Sequence, residues 1–275
     1  MSKKSKSLQI IFAFLKKDFK NAWSYKVQFF GTIITTLISI VIFFFISEIF
    51  LIDKSEALDN YGNNYLQFVF IGLIFSELSF LMISSLSNEI ANYRISGTFE
   101  EILNSDIPDV YILSSSYAYP IAAFLIRLSI YCFIGIFFLD LNLIPEYGIL
   151  IFISLILVSI FSLIGIGLIS ASYTILFFKG NPFLSIYTAS ATLFGGVFFP
   201  YSSLPEFTQY LSYLIPITHS LELIRSPAYI TSGSDDFFFH LSFLISTSLL
   251  YLLIGYLLCI KALKSAKNKG SLLFY

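Results

Sequence analysis

Long apolar segments recur along the chain, and they constrain its fold more than any other feature. A segment of about 20 apolar residues is long enough to cross the ~30 Å hydrocarbon core of a bilayer as a helix. Only 12% of the 275 residues are charged, against roughly 25% in soluble domains, and the mean hydropathy is +0.83. The sequence therefore predicts an all-α integral membrane protein that forms a single transmembrane domain over residues 1–275.

Six segments meet this length requirement, so six transmembrane helices are predicted. Their approximate bounds are 27–50, 66–88, 115–139, 147–178, 182–199 and 237–260. Residues 7–25 precede the first span and have an apolar stripe, a Lys-rich opposite face and a Trp near the end. That pattern is typical of an amphipathic helix lying in the membrane interface.

The distribution of Lys and Arg predicts the orientation, because cytoplasmic segments are enriched in these residues. With six spans, two basic residues fall on one side of the membrane, namely Lys54 and Arg225. The other side carries Lys3, Lys4, Lys6, Lys16, Lys17, Lys20, Lys26, Arg94, Lys179, Lys261, Lys264, Lys267 and Lys269. Both termini are therefore predicted to be cytoplasmic, in a multi-pass protein of the plasma membrane.

The second and third spans carry one charged residue each, Glu77 and Arg127. At ~1.5 Å per residue, both lie roughly 16–18 Å from the cytoplasmic ends of their helices. Because a lone charge in a bilayer is costly, we predict that the two side chains pair. The alternative is that each faces a wet cavity separately. No further acidic residue or histidine lies at mid-membrane, which argues against a proton relay.

Residues 87–110 form a charged segment between the second and third spans. Within it, Gly97–Leu103 is predicted to form a short helix, capped by Ser96 or Thr98 and ended before Pro108. Its first turn carries two acids, Glu100 and Glu101, and its apolar edge carries Phe99, Ile102 and Leu103. A charged helix with one apolar edge at the end of a span is predicted to dock on a soluble partner. The alternative is a solvated connecting loop.

Residues 200–227 lie between the fifth and sixth spans and are too apolar for a free loop. Three prolines also make a continuous span improbable on steric grounds, so we predict a re-entrant outer hairpin of two short helices. The alternative is a seventh, kinked span. The candidate residues of this hairpin are Phe199, Pro200, Pro205, Pro216, His219, Glu222 and Arg225, with local pairing of the last two expected from their i, i+3 spacing.

Several motifs of catalysis and metal binding are absent from the sequence, and their absence narrows the range of expected functions. There is no phosphate-binding loop motif, no Cys/His cluster at metal-ligand spacing and no nucleophile elbow. The chain is therefore not expected to hydrolyse ATP, to act as an enzyme by itself or to bind a cofactor or metal. Nothing in its charge distribution suggests a nucleic-acid partner.

Three motifs together resemble the membrane subunits of ABC exporters of the type-2 permease class. AFLKKDFKNAWSY resembles the interfacial connecting helix of that family, and SGTFEEILNSDIP is similar to its coupling segment. FGGVFFPYSSLPEFTQYLSYLIPITHSLELIRS resembles its outer hairpin, including the closing His-x-x-Glu-x-x-Arg. One departure is Asp106, where the family usually has Pro directly after the Ser.

The resemblance implies an exporter of two permeases and two ABC ATPase subunits, with ATP and Mg bound by the ATPases. The second permease would be another copy of this chain or a close homologue, and the pathway would run between them along spans one, two and five. The residues expected to couple to the ATPase are Gly97, Thr98, Phe99, Glu100, Glu101 and Leu103. The turn at 179–182 is a possible second contact.

The substrate is predicted to be a hydrophobic or amphipathic compound, such as a drug or lipid, because the chain contains 32 Phe and 18 Tyr. A polysaccharide or lipid-linked glycan is the alternative, since aromatic rings also stack on sugars. Two other classes of protein are alternatives. A secondary transporter usually has an internal repeat or a chain of ionisable groups, and a membrane-embedded lipid-modifying enzyme would need Asp, His and Arg clustered at one bilayer depth. The sequence shows neither of these patterns.

Overall fold

The computed structural model describes residues 12, 15–17, 19–20, 26–50, 58, 61, 64–105, 108–143, 148–177, 181–225 and 235–269. Within these ranges the regular structure is entirely helical. Several predictions fall partly or wholly outside them: most of the interfacial helix at 7–25, Asp106, Lys179, and the end of the hairpin at 226–227. The residues of 7–25 that are described are helical.

Ten α-helices can be followed through the described residues. They are α1 (Lys26–Phe50), α2 (Tyr65–Ile95), α3 (Phe99–Leu103), α4 (Asp109–Ser115), α5 (Ala118–Phe138), α6 (Ile149–Leu176), α7 (Pro182–Phe194), α8 (Glu206–Tyr213), α9 (Pro216–Arg225) and α10 (Asp235–Lys269). A 3₁₀ turn, Tyr201–Ser203, precedes α8.

Four described segments are long and apolar enough to cross a membrane: Tyr65–Ile95, Tyr111–Phe138, Leu150–Leu176 and Asp235–Lys267. These correspond to the second, third, fourth and sixth predicted spans. The apolar stretch found in α1 is shorter, Phe30–Ile46. The predicted span at 182–199 was too long, because α7 has 13 residues and covers only about 20 Å. Its helix ends at Phe194, where two glycines follow.

The centre of the bundle is α6, which packs against α10 on one side and α2 on another. Glycines allow these helices to approach closely. A Cβ on Gly165 would lie 2.5 Å from the backbone N of Leu252 in α10, and a Cβ on Gly255 would lie 2.3 Å from the carbonyl O of Gly165. On the α2 side, a Cβ on Gly167 would lie 2.7 Å from the Met82 carbonyl O. Small residues at such contacts are typical of helix packing in membranes.

Candidate functional site

The predicted coupling segment begins with a tight turn at the end of α2. The backbone N–H of Thr98 donates to the Tyr93 carbonyl (3.0 Å), and Gly97 takes a left-handed conformation with φ +72°. Such a φ favours glycine, because a Cβ would clash with the backbone. The prediction of a side-chain cap was wrong: the Thr98 hydroxyl pairs with the Ser96 hydroxyl at 2.8 Å and makes no cap hydrogen bond to α3.

The apolar edge of α3 packs inside the chain itself. Phe99 and Leu103 are 4% and 6% exposed and belong to the same hydrophobic core as α2 and α6. The expectation that these two side chains face a soluble partner is therefore corrected. Their burial holds a helix of only five residues against the bundle, since so short a helix is not stable alone.

The surface that this segment exposes is a different set of residues. Glu101 and Gly97 are exposed, and Glu100 and Thr98 are half-buried. Ile95, the last residue of α2, is 77% exposed. Sequence reasoning missed Ile95, because it is an isolated apolar residue in the charged segment 87–110 and the helix extends beyond the predicted span to end there. The residues that this segment exposes therefore include an apolar side chain and an acid.

Arg94 connects this segment to the central helix. Its two terminal nitrogens donate to the carbonyls of Thr174 and Ile175, each at 2.5 Å, and so satisfy the last turn of α6. Its guanidinium also lies over the ring of Phe99, 5.1 Å from the centroid. One side chain thus contacts both the coupling helix and the end of α6.

A polar junction lies beside this contact, where α6 leads into α7. The Asn181 carbonyl oxygen caps α7 by accepting from the Leu184 N–H (3.1 Å), and its amide donates to the hydroxyls of Ser87 and Ser170, both at 2.8 Å. Ser87 also hydrogen-bonds the Thr174 hydroxyl. The junction therefore ties α2, α6 and α7 together near the coupling segment.

The N-terminal segment contacts the same end of α2. Lys17 Nζ lies 2.8 Å from Glu89 Oε1 and 2.6 Å from the Tyr93 hydroxyl, and 4.7 Å from the Tyr93 ring centroid. Burial alone would lower the pKa of Lys17, but the hydrogen bonds to Glu89 and Tyr93 raise it above its ordinary value. The side chain therefore remains charged.

The structure brings together the predicted intramembrane pair. Arg127 Nη1 lies 2.5 Å from Glu77 Oε1, and the two side chains are 6% and 8% exposed. The hydroxyls of Tyr131 (2.7 Å) and Thr36 (3.5 Å) both donate to the other carboxylate oxygen of Glu77. The pair therefore joins α2 to α5 and carries hydrogen bonds that partly offset the desolvation of both charges.

A cavity of about 330 Å³ lies beside Glu77. Its lining comes from α1, α2 and α7, with Ile217 of α9 at one edge, and most of the lining side chains are polar. Thr36, Glu77 and Thr192 represent the three main walls. The charge pair, the first span and the short α7 therefore meet around one polar space.

The second half of the predicted outer region is buried, not surface-lying. Every residue of α9 is buried, including His219, Glu222 and Arg225. Arg225 donates to the carbonyls of Gly196 (2.5 Å) and Val197 (3.1 Å), and its guanidinium lies 3.7 Å from the Phe68 ring centroid. The outer helix is therefore held against α2 and against the turn that follows α7.

Glu222 has a different partner from the one its spacing suggested. Its carboxylate accepts from the Tyr61 hydroxyl at 2.8 and 2.9 Å, while Arg225 donates to backbone carbonyls. Burial raises the pKa of Glu222 to about 7, although the Tyr61 hydrogen bond and the Arg225 charge act in the opposite direction. Tyr61, which precedes α2 in the chain, is thus the partner of Glu222 in place of the expected Arg225.

The remaining hairpin residues define its helices and its contact with α10. Pro200 and Pro205 precede the 3₁₀ turn and α8, and Pro216 is the first residue of α9, where a missing N–H costs nothing. Phe199 is half-buried. His219 Nδ1 lies 3.0 Å from His240 Nδ1, and its Nε2 lies 2.9 Å from the Tyr213 carbonyl.

The comparison with known proteins gives one family. The profile described as ABC-2 type transporter matches residues 9–229, which include the coupling segment, the charge pair and the outer hairpin. No curated protein matched the chain.

Proposed function

The chain belongs to the ABC-2 type transporter family, and from that premise we propose that it is the permease subunit of an ATP-driven exporter. The family is that of ABC permeases, which work with an ATPase, and the printed sequence carries no ATPase motif. In our proposal two copies of this chain, or this chain and a close homologue, assemble with two ABC ATPase subunits. ATP and Mg bind to those subunits.

The proposed topology has six spans, with both termini in the cytoplasm of a plasma-membrane protein. The four long apolar helices and the helical α1 support five of the spans. The short α7 would form the remaining span, the fifth along the chain, together with the buried turn at Gly196 and Val197. Protein rather than lipid surrounds this turn. The outer hairpin would then be α8 and α9.

The observation that carries the proposal is the exposed tip of the α2–α3 segment. Ile95 and Glu101 lie on the surface there, while Phe99 and Leu103 fix the segment to the bundle. A partner that binds this tip can move the helices of the bundle, because α3 packs on them and is not a free loop. We infer that the ATPase binds this tip.

The path from this contact into the membrane would run through Arg94. Closure of the ATPases displaces α3, and Arg94 carries the displacement to the end of α6 through its two carbonyl contacts. Because α6 packs on both α2 and α10, a tilt of α6 changes the spacing of the whole bundle. This two-state rocking is the proposed transport step.

The pathway is proposed to run past the cavity beside Glu77, which α1, α2 and α7 line. The cavity is partly open, and a second permease copy would supply the missing wall. An apolar face of α1, including Phe30, Ile34 and Ile38, is exposed in the single chain and would contact the second copy or lipid. The proposed cargo is a hydrophobic or amphipathic compound, with a polysaccharide or lipid-linked glycan as the alternative.

Co-purification with the candidate ATPase tests the proposal. The chain is extracted in detergent-free polymer nanodiscs, and the bound ATPase is quantified for wild type and for the double variant Ile95→Asp, Glu101→Lys. We expect the wild type to retain the ATPase and the double variant to lose it, because both changes lie on the exposed tip.

The matched control is the double variant Phe207→Asp, Glu206→Lys, which makes the same chemical changes at exposed positions of α8. It should retain the ATPase. If the wild type retains no ATPase and still moves a solute into liposomes without ATP, the exporter assignment is wrong and secondary transport replaces it.

A further inference from the structure

Five of the seven hydroxyl groups of described residues that line the cavity beside Glu77 already donate their hydrogens within the protein, and this limits what the cavity can bind. Four of them donate their hydrogen to their own helix backbone: Thr35 to Gly31, Ser39 to Thr35, Thr188 to Leu184 and Thr192 to Thr188, at 2.8–3.1 Å. A fifth, Thr36, donates to Glu77. Because these hydrogens are already used, the oxygens can offer a ligand only lone pairs.

Ser79 gives an independent sign that this wall is built for a ligand. Its side chain lines the cavity and is 3% exposed, yet its hydroxyl has no hydrogen-bond partner among the described residues. Buried polar groups are nearly always hydrogen-bonded, so an unpaired one at a cavity wall indicates a missing partner. Because Ser79 belongs to the cavity lining, a ligand in the cavity would supply this partner once the hydroxyl turns towards it.

The charge of the lining excludes one class of ligand. Among the lining residues that the structure describes, Glu77 is the charged one and none is basic. Arg127 neutralises Glu77 from outside the cavity, through a contact of 2.5 Å. An anionic headgroup would therefore meet a carboxylate and mostly lone pairs, whereas a neutral group with hydroxyl donors would satisfy these lone pairs without a net charge entering the membrane.

We propose that this cavity binds a neutral, polyhydroxylated headgroup of the transported molecule, such as a single sugar or polyol. The proposal deepens the exporter function and rests on it. At about 330 Å³ the cavity lies at the small end of ligand sites, which run from roughly 300 to 1,000 Å³, and so suits a single ring.

A second cavity of about 420 Å³ accounts for the rest of the molecule. It shares Thr188 and Thr192 with the first and is otherwise lined by Ala189, Leu193 and Phe198. The two cavities thus meet at Thr188 and Thr192 of α7. The first cavity has a mainly polar lining, and the second adds apolar side chains. An amphipathic molecule with its headgroup in the first cavity would have its apolar chain in the second.

Three probes with the same octyl chain test the proposal: octyl glucoside, octyl phosphate and octyltrimethylammonium. Binding of each radiolabelled probe is measured below its micelle concentration, with the full-length chain in native nanodiscs and with empty nanodiscs as background. We expect octyl glucoside to bind at least about tenfold more tightly than the other two, which lack the neutral set of donors. Equal or tighter binding of octyl phosphate, or of octyltrimethylammonium, overturns the proposal.

Two serine variants locate the binding site. Ser79→Ala removes the unpaired hydroxyl and is expected to weaken octyl glucoside binding roughly three- to tenfold, the effect of one lost hydrogen bond. Ser129→Ala is the control, because Ser129 is an exposed residue of α5 that hydrogen-bonds its own helix at 2.9 Å. If both variants bind octyl glucoside as the wild type does, the site is not this cavity.

The ATPase co-purification separates this proposal from the exporter function. Retention of the ATPase together with no selectivity among the three probes refutes the headgroup site and leaves the permease function intact. Selective glucoside binding that Ser79→Ala weakens, without any retained ATPase, supports the cavity and refutes the exporter assignment.

Discussion

The guanidinium of Arg94 lies over the ring of Phe99 at 5.1 Å, while its nitrogens hold the last carbonyls of α6. One residue at the end of α2 therefore contacts both the helix proposed to receive the ATPase and the helix at the centre of the bundle. The sequence placed Arg94 in a charged segment but did not indicate this double contact.

We predict that Arg94→Ala separates ATPase binding from ATPase activity. The exposed tip remains, so the yield of co-purified ATPase should be unchanged. The ATPase rate of the complex should fall about five- to tenfold, the lower range of typical coupling energies, because α3 loses its link to α6. Lys264→Ala, an exposed basic residue of α10, is the control. An Arg94→Ala complex with the wild-type rate would contradict the transmission path.

We predict that substitutions at Glu77 and Arg127 lower the stability of the protein in a strongly non-additive way. Glu77→Gln leaves a buried Arg without its anion and should cost roughly 3–5 kcal/mol, and Arg127→Gln should cost a similar amount. The double variant should cost much less than the sum of the two, as measured by thermal unfolding in nanodiscs. Additive losses would show that each side chain acts separately.

We predict opposite effects of alanine at two glycines. A Cβ on Gly72 would lie 2.3 Å from both Arg225 Nη2 and the Val197 carbonyl O, so Gly72→Ala should lower stability by roughly 1–3 kcal/mol. Gly31 in α1 has no atom of the described residues within 4 Å of a Cβ, and Gly31→Ala should raise stability by about 0.5–1 kcal/mol. Thermal unfolding midpoints of the two variants check both signs. A neutral Gly72→Ala would mean that Arg225 does not hold this position.

We predict that Glu222 makes the stability of the chain depend on pH. Burial raises its pKa from 4.5 to about 7, so the folded state binds more protons than the unfolded state between these values. The free energy of unfolding should therefore fall as the pH rises from about 4.5 to about 7, by up to about 3 kcal/mol, and level off above that range.

Two variants check this dependence through unfolding midpoints at about pH 5 and about pH 8. Glu222→Gln should abolish its contribution to the slope. Tyr61→Phe removes the hydroxyl that favours the ionised carboxylate and should therefore cost more at the higher pH. An equal loss at both pH values would show that Glu222 does not titrate in this range.

The sequence predicted those features that follow from local composition. Long apolar runs require helices in a membrane, and the pairing of Glu77 with Arg127 was predicted from their matching depth and from the cost of a lone charge in the bilayer. Pro216 marked the start of α9, because proline fits the first helical position and disrupts later ones. The fifth span was misjudged, since the apolar run 182–199 continues past Phe194 and the Gly195–Gly196 pair that ends the helix was counted as part of the span.

The groups that each side chain contacts were less predictable from the sequence. Phe99 and Leu103 form an apolar edge in any helical projection, and the sequence could not tell whether a partner or the chain itself covers that edge. The structure shows them buried and leaves Ile95 exposed. Likewise, the i, i+3 spacing of Glu222 and Arg225 suggested a pair, whereas Tyr61 and two backbone carbonyls, all distant in sequence, are their partners.

The sequence by itself thus determined that the chain is a helical membrane protein and where most of its helices lie, because the cost of exposing peptide groups to lipid permits few alternatives. The tertiary structure alone decided which hydroxyls line the cavity, which tip residues are exposed and which distant partners hold α9. These outcomes depend on contacts between helices far apart in the chain, and no local pattern of residues encodes them.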